Sequence, residues 1–381
     1  MIPVFRPSFD DEEWYALREP LKAGWVAMGP RTKEFEEKFA EYIGVPHAVA
    51  LNSATAALHL AMKVLDVEGG EVITTPLTFV STNHAILYNN ATPVFADIEP
   101  DTLNMNIDDV ERLITPQTRA IVTVHYGGHA CDMDRLHELC KGKGIKIIED
   151  AAHAAGGEYR GRKVGTLGDA ACFSFQAVKN MTTGDGGMLT VWDAELDRRL
   201  RVLRWLGLSS DTSARSSPDG KYSWYYEAEE VGYKCHMNDL AAAIGIVQLR
   251  KLDGMNDRRR ELAAQYDRAF AGVDWIETPV EKEYTKSARH NYVIKVDQRD
   301  DLVAYLRERD ISTGVHYVPN HFYAMYRGCK ADVPVTERVW RKLVTLPLFP
   351  DLTGDEMEHI ISSVLEFGKT KMAAAATQQQ D

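Results

Sequence analysis

Residues 120–150 read AIVTVHYGGHACDMDRLHELCKGKGIKIIED, which is an apolar run, a helical pattern and a second apolar run. Both apolar runs are short and rich in Ile and Val, as buried strands are, whereas DMDRLHELCKG has the apolar spacing of a helix. When a helix connects two neighbouring strands of a sheet, the chain crosses over the sheet and the two strands run parallel. Such crossovers are right-handed. The stretch therefore predicts an α/β fold.

The same alternation occurs earlier in the chain, with HAVALN before TAALHLAMKVL and EVITT before FVSTNHAIL. Repeated units of this kind predict a largely parallel sheet with helices on both faces. Ligands of such sheets gather at the carboxyl ends of the strands. The segments in which to look for a site are therefore 52–55, 74–79, 125–128 and 150–153.

The pattern changes in the second half of the chain. Residues 205–230 lack strong periodicity, which predicts a long excursion near a site or an interface. Residues 237–270 predict one or two long helices, with Asn238 or Asp239 able to cap the first. After about residue 250 the strand-like segments HNYVIKV and ISTGVHYVP flank the helical DDLVAYLRERD.

A final helix is expected from Thr353, which stands with Glu356 at capping-box spacing. We therefore predict a large domain at 1–250, a smaller C-terminal α+β domain at 251–370 and a disordered tail at 371–381. From Met372 on, the sequence of this tail is MAAAATQQQD.

Composition excludes several classes of protein. The 44 basic and 56 acidic side chains give a net charge of −12, which argues against a nucleic-acid-binding or anionic-membrane surface. No apolar run reaches the roughly 18 residues of a membrane span, and MIPVFRPSFDDEEW is unlike a signal peptide, so we expect a soluble, cytoplasmic protein. The five cysteines are scattered without a CxxC pair, which indicates reduced thiols and neither a disulfide framework nor a metal site.

One lysine stands out in residues 173–187, FSFQAVKNMTTGDGG. Lys179 lies between an apolar run and a glycine-rich turn, where it is either an ordinary loop lysine in water or a functional amine. Asp150 ends the run IKIIE, where it either caps the next segment or is an acid held against a ligand. A metal is not indicated, because His153 is the only further ligand close by.

The segments after two other strands carry weaker signals. Ser53 and Thr55 lie between a strand and a helix, where hydroxyls and free N–H groups either cap the helix or hold a phosphate. Phe79 follows a strand end, and Ser174 ends another apolar run. Separately, most phenylalanines and serines in such places are structural.

Taken together, these residues fit one small molecule with a phosphate, a flat ring, a basic ring nitrogen and an aldehyde. That molecule is pyridoxal 5′-phosphate (PLP), which enzymes hold with a Schiff-base lysine and an acidic partner at the pyridinium nitrogen. The sequence therefore predicts Lys179 and Asp150 in one crevice.

The whole set of segments also resembles a known family. These segments are GWVAMGPRTKEFEEKFAEYIG, NSATAALHLA, VHYGGHACDMD, IEDAAHAAGGEYRGRKVGTLGDAACFSF, KNMTTGDGGML, GYKCHMNDLAAAIGIVQL, HYVPNHF and LPLFPDLT. In order and spacing they resemble the DegT/DnrJ/EryC1/StrS sugar aminotransferases from about residue 10 to 368. The resemblance implies a PLP-dependent aspartate aminotransferase type I fold, with a large mainly parallel-sheet domain.

The resemblance also implies roles for individual residues. Lys179 matches the Schiff-base lysine, which also shuttles the substrate proton, and Asp150 matches the pyridinium partner. We expect the lysine to have a depressed pKa, from desolvation and the neighbouring cationic cofactor. The cofactor-binding positions implied are Ser53, Ala54, Thr55 and Ser174 at the phosphate, Phe79 stacked on the ring, and His153 at the phenolic oxygen.

The chain departs from the family at three places. Gln176 stands where the family often has His, and His153 stands where it commonly has Gln. Lys234, in GYKCHM, stands where many members have an Asn that reaches the phosphate from the neighbouring subunit. The family dimerises, which implies that Lys234 acts in trans in a homodimer.

The sugar end of the cleft is matched more loosely, by the segments that contain Trp25, His316 and Tyr317. The implied reaction takes an amino group from L-glutamate, giving 2-oxoglutarate and pyridoxamine phosphate (PMP). The PMP form then aminates a keto group on a nucleotide-linked sugar, with a 4-keto-6-deoxyhexose as the expected type.

Two alternatives stay open at this point. A PMP-dependent sugar 3-dehydratase of the same family carries His at the lysine position, which Lys179 argues against. A regulatory or binding homologue could keep the fold without the reaction. Such a homologue is expected to lose Lys179 or Asp150, and both are present.

Overall fold

The computed structural model describes residues 1–209 and 226–378, with side chains through residue 369. Most of the excursion predicted at 205–230 thus lies outside the described residues. The helices are α1 Asp11–Ala16, α2 Arg18–Ala23, α3 Pro30–Ile43, α4 Ala54–Val64, α5 Val80–Tyr88, α6 Ile107–Leu113, α7 Met133–Cys140, α8 Ala194–Arg204, α9 Asp239–Phe270, α10 Arg299–Arg307, α11 Pro334–Val339 and α12 Gly354–Gln378. The strands are β1 His47–Leu51, β2 Glu71–Thr74, β3 Thr92–Phe95, β4 Thr118–Val124, β5 Lys146–Asp150, β6 Glu158–Tyr159, β7 Arg162–Lys163, β8 Ala170–Ser174, β9 Gly187–Val191, β10 Thr285–Lys286, β11 Tyr292–Lys295 and β12 Leu343–Leu346.

A seven-stranded sheet forms the centre of the large domain, in the order β1-β9-β8-β5-β4-β2-β3. The pairs β2/β3, β2/β4, β4/β5 and β5/β8 are parallel, and only β9 runs antiparallel to its two neighbours. The predicted α/β fold with a mainly parallel sheet is confirmed, and the crossover between β4 and β5 is the stretch quoted at the outset.

The sheet is buried on both faces, because successive residues of a strand point to opposite sides. In β4, Ile121 packs into one apolar cluster and Val122 into another. The first cluster includes Phe35 of α3 and Leu252 of α9, and the second includes Leu58 of α4. This double coverage leaves only the strand ends accessible to a ligand.

The smaller C-terminal unit has its own core. Its two-stranded sheet, β11 with β12, packs with α10, α12 and the end of α9 around a third apolar cluster. α9 is one continuous helix capped by Asn238, whose side chain accepts the Ala241 N–H, so the predicted division at 250/251 falls inside it. The division itself stays a prediction.

Two details differ from the expected C-terminal pattern. ISTGVHYVP is not a continuous strand: Gly314 alone exchanges backbone hydrogen bonds with Thr345, and β12 pairs with β11 instead. Beyond Gly314 the chain leaves this edge and runs towards the strand ends of the large domain, so it does not continue the pairing with β12.

α12 also differs from expectation, because it continues through Gln378 into the segment for which disorder is predicted. The run of alanines in this segment has the highest intrinsic helix propensity, which accounts for the extension. At its start, Thr353 and Glu356 exchange the two hydrogen bonds of the predicted capping box, at 2.9 and 3.2 Å.

No helix among the described residues is long and apolar enough to cross a membrane. Within the same residues, no group of three or more His, Cys, Asp or Glu side chains is arranged to hold a metal ion. All five cysteines are free thiols, and four of them are buried.

Candidate active site

A cavity of about 420 Å³ opens at the carboxyl ends of the large-domain strands, within the roughly 300–1,000 Å³ typical of small-molecule sites. It lies where the topology of a parallel sheet places ligands. Ten of the sequence-predicted residues line it: Ser53, Ala54, Thr55, Phe79, Asp150, His153, Ser174, Lys179, His316 and Tyr317.

Lys179 projects from a tight loop between β8 and β9. Its N–H donates to the Gln176 carbonyl at 2.9 Å, and the next side chain, Asn180, donates to both Asn256 and the Ala288 carbonyl at 2.8 Å. Because Asn256 belongs to α9, the loop is tied to the longest helix of the molecule. This anchoring gives the amine a fixed position over the cavity.

Burial in the cavity wall lowers the pKa of Lys179 to about 8, and the carboxylate of Asp150 acts in the opposite direction. A substantial fraction of the amine is therefore neutral near physiological pH, which a nucleophile or proton carrier requires. The predicted depression of this pKa has its physical cause in desolvation by the protein itself.

Asp150 is 4% exposed and ends β5. Its Oδ2 accepts the Thr82 hydroxyl at 2.7 Å, and its Oδ1 accepts the Ala152 N–H at 3.1 Å. Burial raises the pKa of this carboxyl, against the effect of these two hydrogen bonds and of the Lys179 charge. A buried carboxylate in this state favours a cationic partner, such as a protonated ring nitrogen.

The start of α4 forms an anion-binding corner. Ser53 is the N-cap, and its Oγ accepts the Ala56 N–H at 3.1 Å. The N–H groups of Ala54 and Thr55 lie in the first turn, where the helix offers them no acceptor. Gly187 of β9 lies so close that a Cβ on it would come within 2.4 Å of Ser53, so a glycine is needed there. Such a corner suits a phosphate.

Phe79 is 57% exposed and directs an aromatic ring to the cavity, 6.0 Å from the ring of Tyr317. His153, on the cavity wall, accepts the Gly127 N–H at Nδ1 (3.4 Å), so its neutral ring carries the proton on Nε2. That Nε2 lies 3.0 Å from the Tyr317 hydroxyl. Burial, together with Lys179 and His316, lowers the pKa of His153 well below its usual range.

The small domain contributes His316 and Tyr317 to the cavity. His316 is held from both sides, since its Nδ1 lies 2.7 Å from the Thr345 hydroxyl and its carbonyl accepts the Tyr126 hydroxyl. Burial and the Lys179 charge lower the pKa of His316 to about 4, and burial raises that of Tyr317. Both rings are therefore neutral hydrogen-bonding groups at neutral pH.

Two of the sequence-predicted residues do not line the cavity. Trp25 donates its indole N–H to the Met28 carbonyl at 3.2 Å, at the start of α3. Lys234 is exposed, and its ammonium lies 3.8 Å from the centre of the Trp205 ring. The structure of one chain thus does not bring them to the site, and their roles stay predictions.

Sequence reasoning missed two residues that support the site. Thr82 donates to Asp150, and its only signal was its place one turn after Phe79. His290 stacks on His153 with ring centres 4.3 Å apart, and its sequence context, HNYVIKV, gave no signal beyond a strand. Both contacts join residues that are distant in sequence.

The residues present fit PLP. The corner at α4 suits the phosphate, Phe79 offers a ring face, Asp150 is a buried acid with a place for a cationic partner, and Lys179 is a poorly solvated amine. The fold and this set of groups together define a PLP-dependent enzyme of the aspartate aminotransferase type I fold.

The chain belongs to the DegT/DnrJ/EryC1/StrS aminotransferase family, whose sequence profile matches residues 7–365. The spore coat polysaccharide biosynthesis protein SpsC of Bacillus subtilis is 42% identical over 380 residues, which cover 97% of each chain. Among solved structures, the aminotransferase TlmJ of Streptoalloteichus hindustanus is 37% identical with a TM-score of 0.90, covering 99% of this chain and 100% of that one.

A third relative, assigned as a sugar aminotransferase of Streptococcus pneumoniae, has been solved in a PLP form. That form is 33% identical with a TM-score of 0.88, and the match covers 95% of this chain and 97% of that one. The same protein has also been solved in a PMP form. The family is PLP-dependent, as the sequence predicted.

Proposed function

We propose that this protein transfers an amino group from L-glutamate to a keto group on a nucleotide-linked sugar, with a 4-keto-6-deoxyhexose as the substrate type. The observation that carries the proposal is the placement of Lys179 and Asp150 on one cavity beside a phosphate corner. The names of relatives support the sugar: one is an assigned sugar aminotransferase and another is a polysaccharide biosynthesis protein.

When bound, PLP supplies a ring that accepts the electrons left behind when a substrate carbon loses its proton. Asp150 would keep the proton on the ring nitrogen, since a buried carboxylate is stabilised by a cation beside it. Phe79 would pack against the ring, and the α4 corner with Ser174 would bind the phosphate.

Lys179 has two tasks in this scheme. It would hold the cofactor between turnovers, and its free amine would move the proton on the substrate carbon. With a pKa of about 8, the amine can both accept and return a proton near neutral pH. His153 and Tyr317, which are hydrogen-bonded to each other on the cavity wall, would orient the phenolic oxygen of the ring.

The cavity of a single chain is poor in positive charge. Among the described residues that line it, Lys179 is the only lysine or arginine. The cofactor phosphate, the glutamate carboxylates and a nucleotide diphosphate are all anions, which need more cationic partners than one amine. This shortage supports the proposal that a second copy completes the site, with Lys234 acting in trans.

The surface around the cavity mouth supports the same proposal of a homodimer. Two segments meet there, because Asn320 donates hydrogen bonds to the backbone carbonyls of Pro76 and Thr78. Both segments carry large exposed apolar side chains. They are Phe79, Val318, Phe322, Tyr323 and Met325. Several large exposed apolar side chains within two short segments are typical of protein–protein contacts. We also propose that the protein works in the cytoplasm, a compartment in which its five free thiols stay reduced.

The direct test of function is transfer of labelled nitrogen. The PLP-loaded protein is incubated with ¹⁵N-labelled L-glutamate and a nucleotide-linked 4-keto-6-deoxyhexose, and the products are identified by mass spectrometry. We expect a ¹⁵N-amino sugar and an equal amount of 2-oxoglutarate. A 3-deoxy sugar would instead identify a dehydratase, and no conversion of any nucleotide-linked keto sugar would favour a binding homologue.

Mixed dimers test the role of Lys234. We expect Lys234→Glu to lower turnover sharply at limiting PLP, because the reversed charge repels the phosphate. This variant is then unfolded and refolded with an equal amount of inactive Lys179→Ala. Half of the resulting dimers would be mixed, and each mixed dimer would contain one complete site out of two. Activity should therefore return to about one quarter of the value of the unaltered protein. A role within the same chain predicts no recovery. Lys143→Glu, at an exposed lysine, is the matched control.

A further inference from the structure

The first residues of the chain, 2–8, cross from the small domain to α9 and are called here the N-terminal strap. Three of its hydrogen bonds hold it on either side of Phe5. They run from the Ile2 N–H to the Asp310 carbonyl at 2.6 Å, from the Leu348 N–H to the Val4 carbonyl at 3.0 Å, and from the Gln248 side-chain amide to the Ser8 carbonyl at 2.8 Å. The middle of the strap is therefore held in place between these attachments.

Phe5, in the middle of the strap, is in ring contact with His290. The two rings are nearly parallel, at 9°, with centres 5.1 Å apart. His290 is also stacked on His153, at 28° and 4.3 Å. One imidazole thus connects the strap to a ring of the cavity wall.

The plane of His290 depends on these stacks. Within residues 1–209 and 226–369, its imidazole makes ring contacts and no hydrogen bond. Ring pairs have preferred relative orientations, so a neighbour on each side can set a plane that no hydrogen bond sets. A change at Phe5 is therefore transmitted to His290, and from there to His153.

Phe5 also covers a second imidazole of the site. Its ring meets that of His316 edge-on, with centres 5.5 Å apart and an angle of 64°. His316 lines the cavity. The phenyl group thus lies against both imidazoles, of which His290 is buried and His316 is half-buried.

The charges around His290 are cationic. Burial is the largest cause that lowers the pKa of His290 well below the usual range, and the neighbouring imidazoles of His153 and His316 and the charges of Lys179 and Arg259 act in the same direction. Arg259 is itself 4% exposed. Hydration would stabilise the cationic form of this histidine and so raise its pKa towards the ordinary value near 6.5, against the effect of the neighbouring cations.

We propose that Phe5 is a positioning residue of the active site: by stacking on His290 it holds the imidazole that packs on the face of His153, whose ring edge is held by Gly127 and Tyr317, and by lying against His290 and His316 it shields both imidazoles from water beside Lys179. This proposal rests on the proposed function in so far as His153 faces the cofactor. The N-terminal strap is then part of the site, although none of its residues lines the cavity.

The test compares Phe5→Ala and Phe5→Leu with Arg6→Ala, the matched control. Arg6 also anchors the strap, through the Asp351 carbonyl at 3.2 Å and the Phe349 ring at 4.6 Å, but it does not touch the imidazoles. The first readout is the titration of ¹⁵N-labelled histidines in cofactor-free protein by nuclear magnetic resonance. The second is the pH profile of kcat/KM.

In Phe5→Ala we expect His290 to titrate between about pH 5 and 8, and the acidic limb of the profile to move to higher pH. Phe5→Leu keeps the apolar cover and loses the stack, so kcat/KM should fall roughly three- to tenfold without a new titration. Arg6→Ala should lower the melting temperature and leave both readouts unaltered.

The proposal is contradicted if the strap only stabilises the fold. In that case Phe5→Ala and Phe5→Leu lower the melting temperature as Arg6→Ala does, with unaltered histidine titrations and an unaltered pH profile. If Phe5→Ala does not fold, an unaltered kcat/KM in Phe5→Leu overturns the proposal by itself. Failure of the proposed function would appear separately, as absent amino transfer in the unaltered protein, since the titrations need neither cofactor nor substrate.

Discussion

Replacement of Lys179 by alanine is expected to lower turnover by roughly 10⁴-fold or more while leaving the fold intact, because the variant loses both the covalent hold on PLP and the proton carrier. Steady-state assays with L-glutamate and the keto sugar measure the loss, and circular dichroism checks the fold. Lys179→Arg should be as inactive, since a guanidinium stays protonated at any workable pH. Undiminished turnover in Lys179→Ala would refute the assignment.

The pH dependence of cofactor attachment gives an independent check on Lys179. Only the neutral amine reacts with the PLP aldehyde, and burial lowers the pKa of Lys179 to about 8. The rate of attachment should therefore rise with pH and level off above about pH 8, rather than continuing to rise towards the ordinary lysine pKa near 10.4. A lysine in a short unstructured peptide supplies the reference curve.

Replacement of Asp150 by asparagine should lower the rate of amino transfer by about 10²–10³-fold with PLP still bound. Asparagine keeps the size of the side chain next to Thr82 and Ala152 and removes the charge that holds a proton on the ring nitrogen. An N-methylated PLP analogue, whose ring nitrogen is cationic without a proton, should restore part of the rate. Single-turnover assays with glutamate measure both effects.

The matched control for this variant is Asp193→Asn. Asp193 is the N-cap of α8, with its carboxylate accepting the Glu195 and Leu196 N–H groups, and asparagine caps a helix equally well. Its activity should equal that of the unaltered protein. If the N-methylated analogue gave no recovery in Asp150→Asn, Asp150 would not act through the ring nitrogen.

The main strands of the fold could be predicted because buried parallel strands are continuous apolar runs, and β1, β2, β4, β5 and β8 all stand out in this way. β3, β9 and β12 were missed. β3 is a four-residue strand that contains Pro93, and β9 begins at Gly187 directly after a glycine-rich turn, so residues that usually break strands obscure both of them. β12 pairs with a strand about fifty residues earlier, which local patterns do not indicate.

The candidate site divides in the same way. Lys179, Asp150 and the α4 corner follow from the rule that ligands gather at strand ends, so their spatial neighbourhood was predictable. The bond from Thr82 to Asp150 and the stack from Phe5 through His290 to His153 join distant segments, and only the folded chain shows them. The positions of Trp25 and Lys234 came from the resemblance alone, and one chain does not bring them to the cavity.

Chemical trapping tests the central claim most directly. PLP-loaded protein is reduced with borohydride, digested and mapped by mass spectrometry, with and without prior exposure to L-glutamate. The account predicts a pyridoxyl group on the peptide that contains Lys179, and its loss after glutamate, when the cofactor has become PMP and is no longer attached. A label on another lysine, or a Lys179 label that glutamate does not remove, would contradict the account.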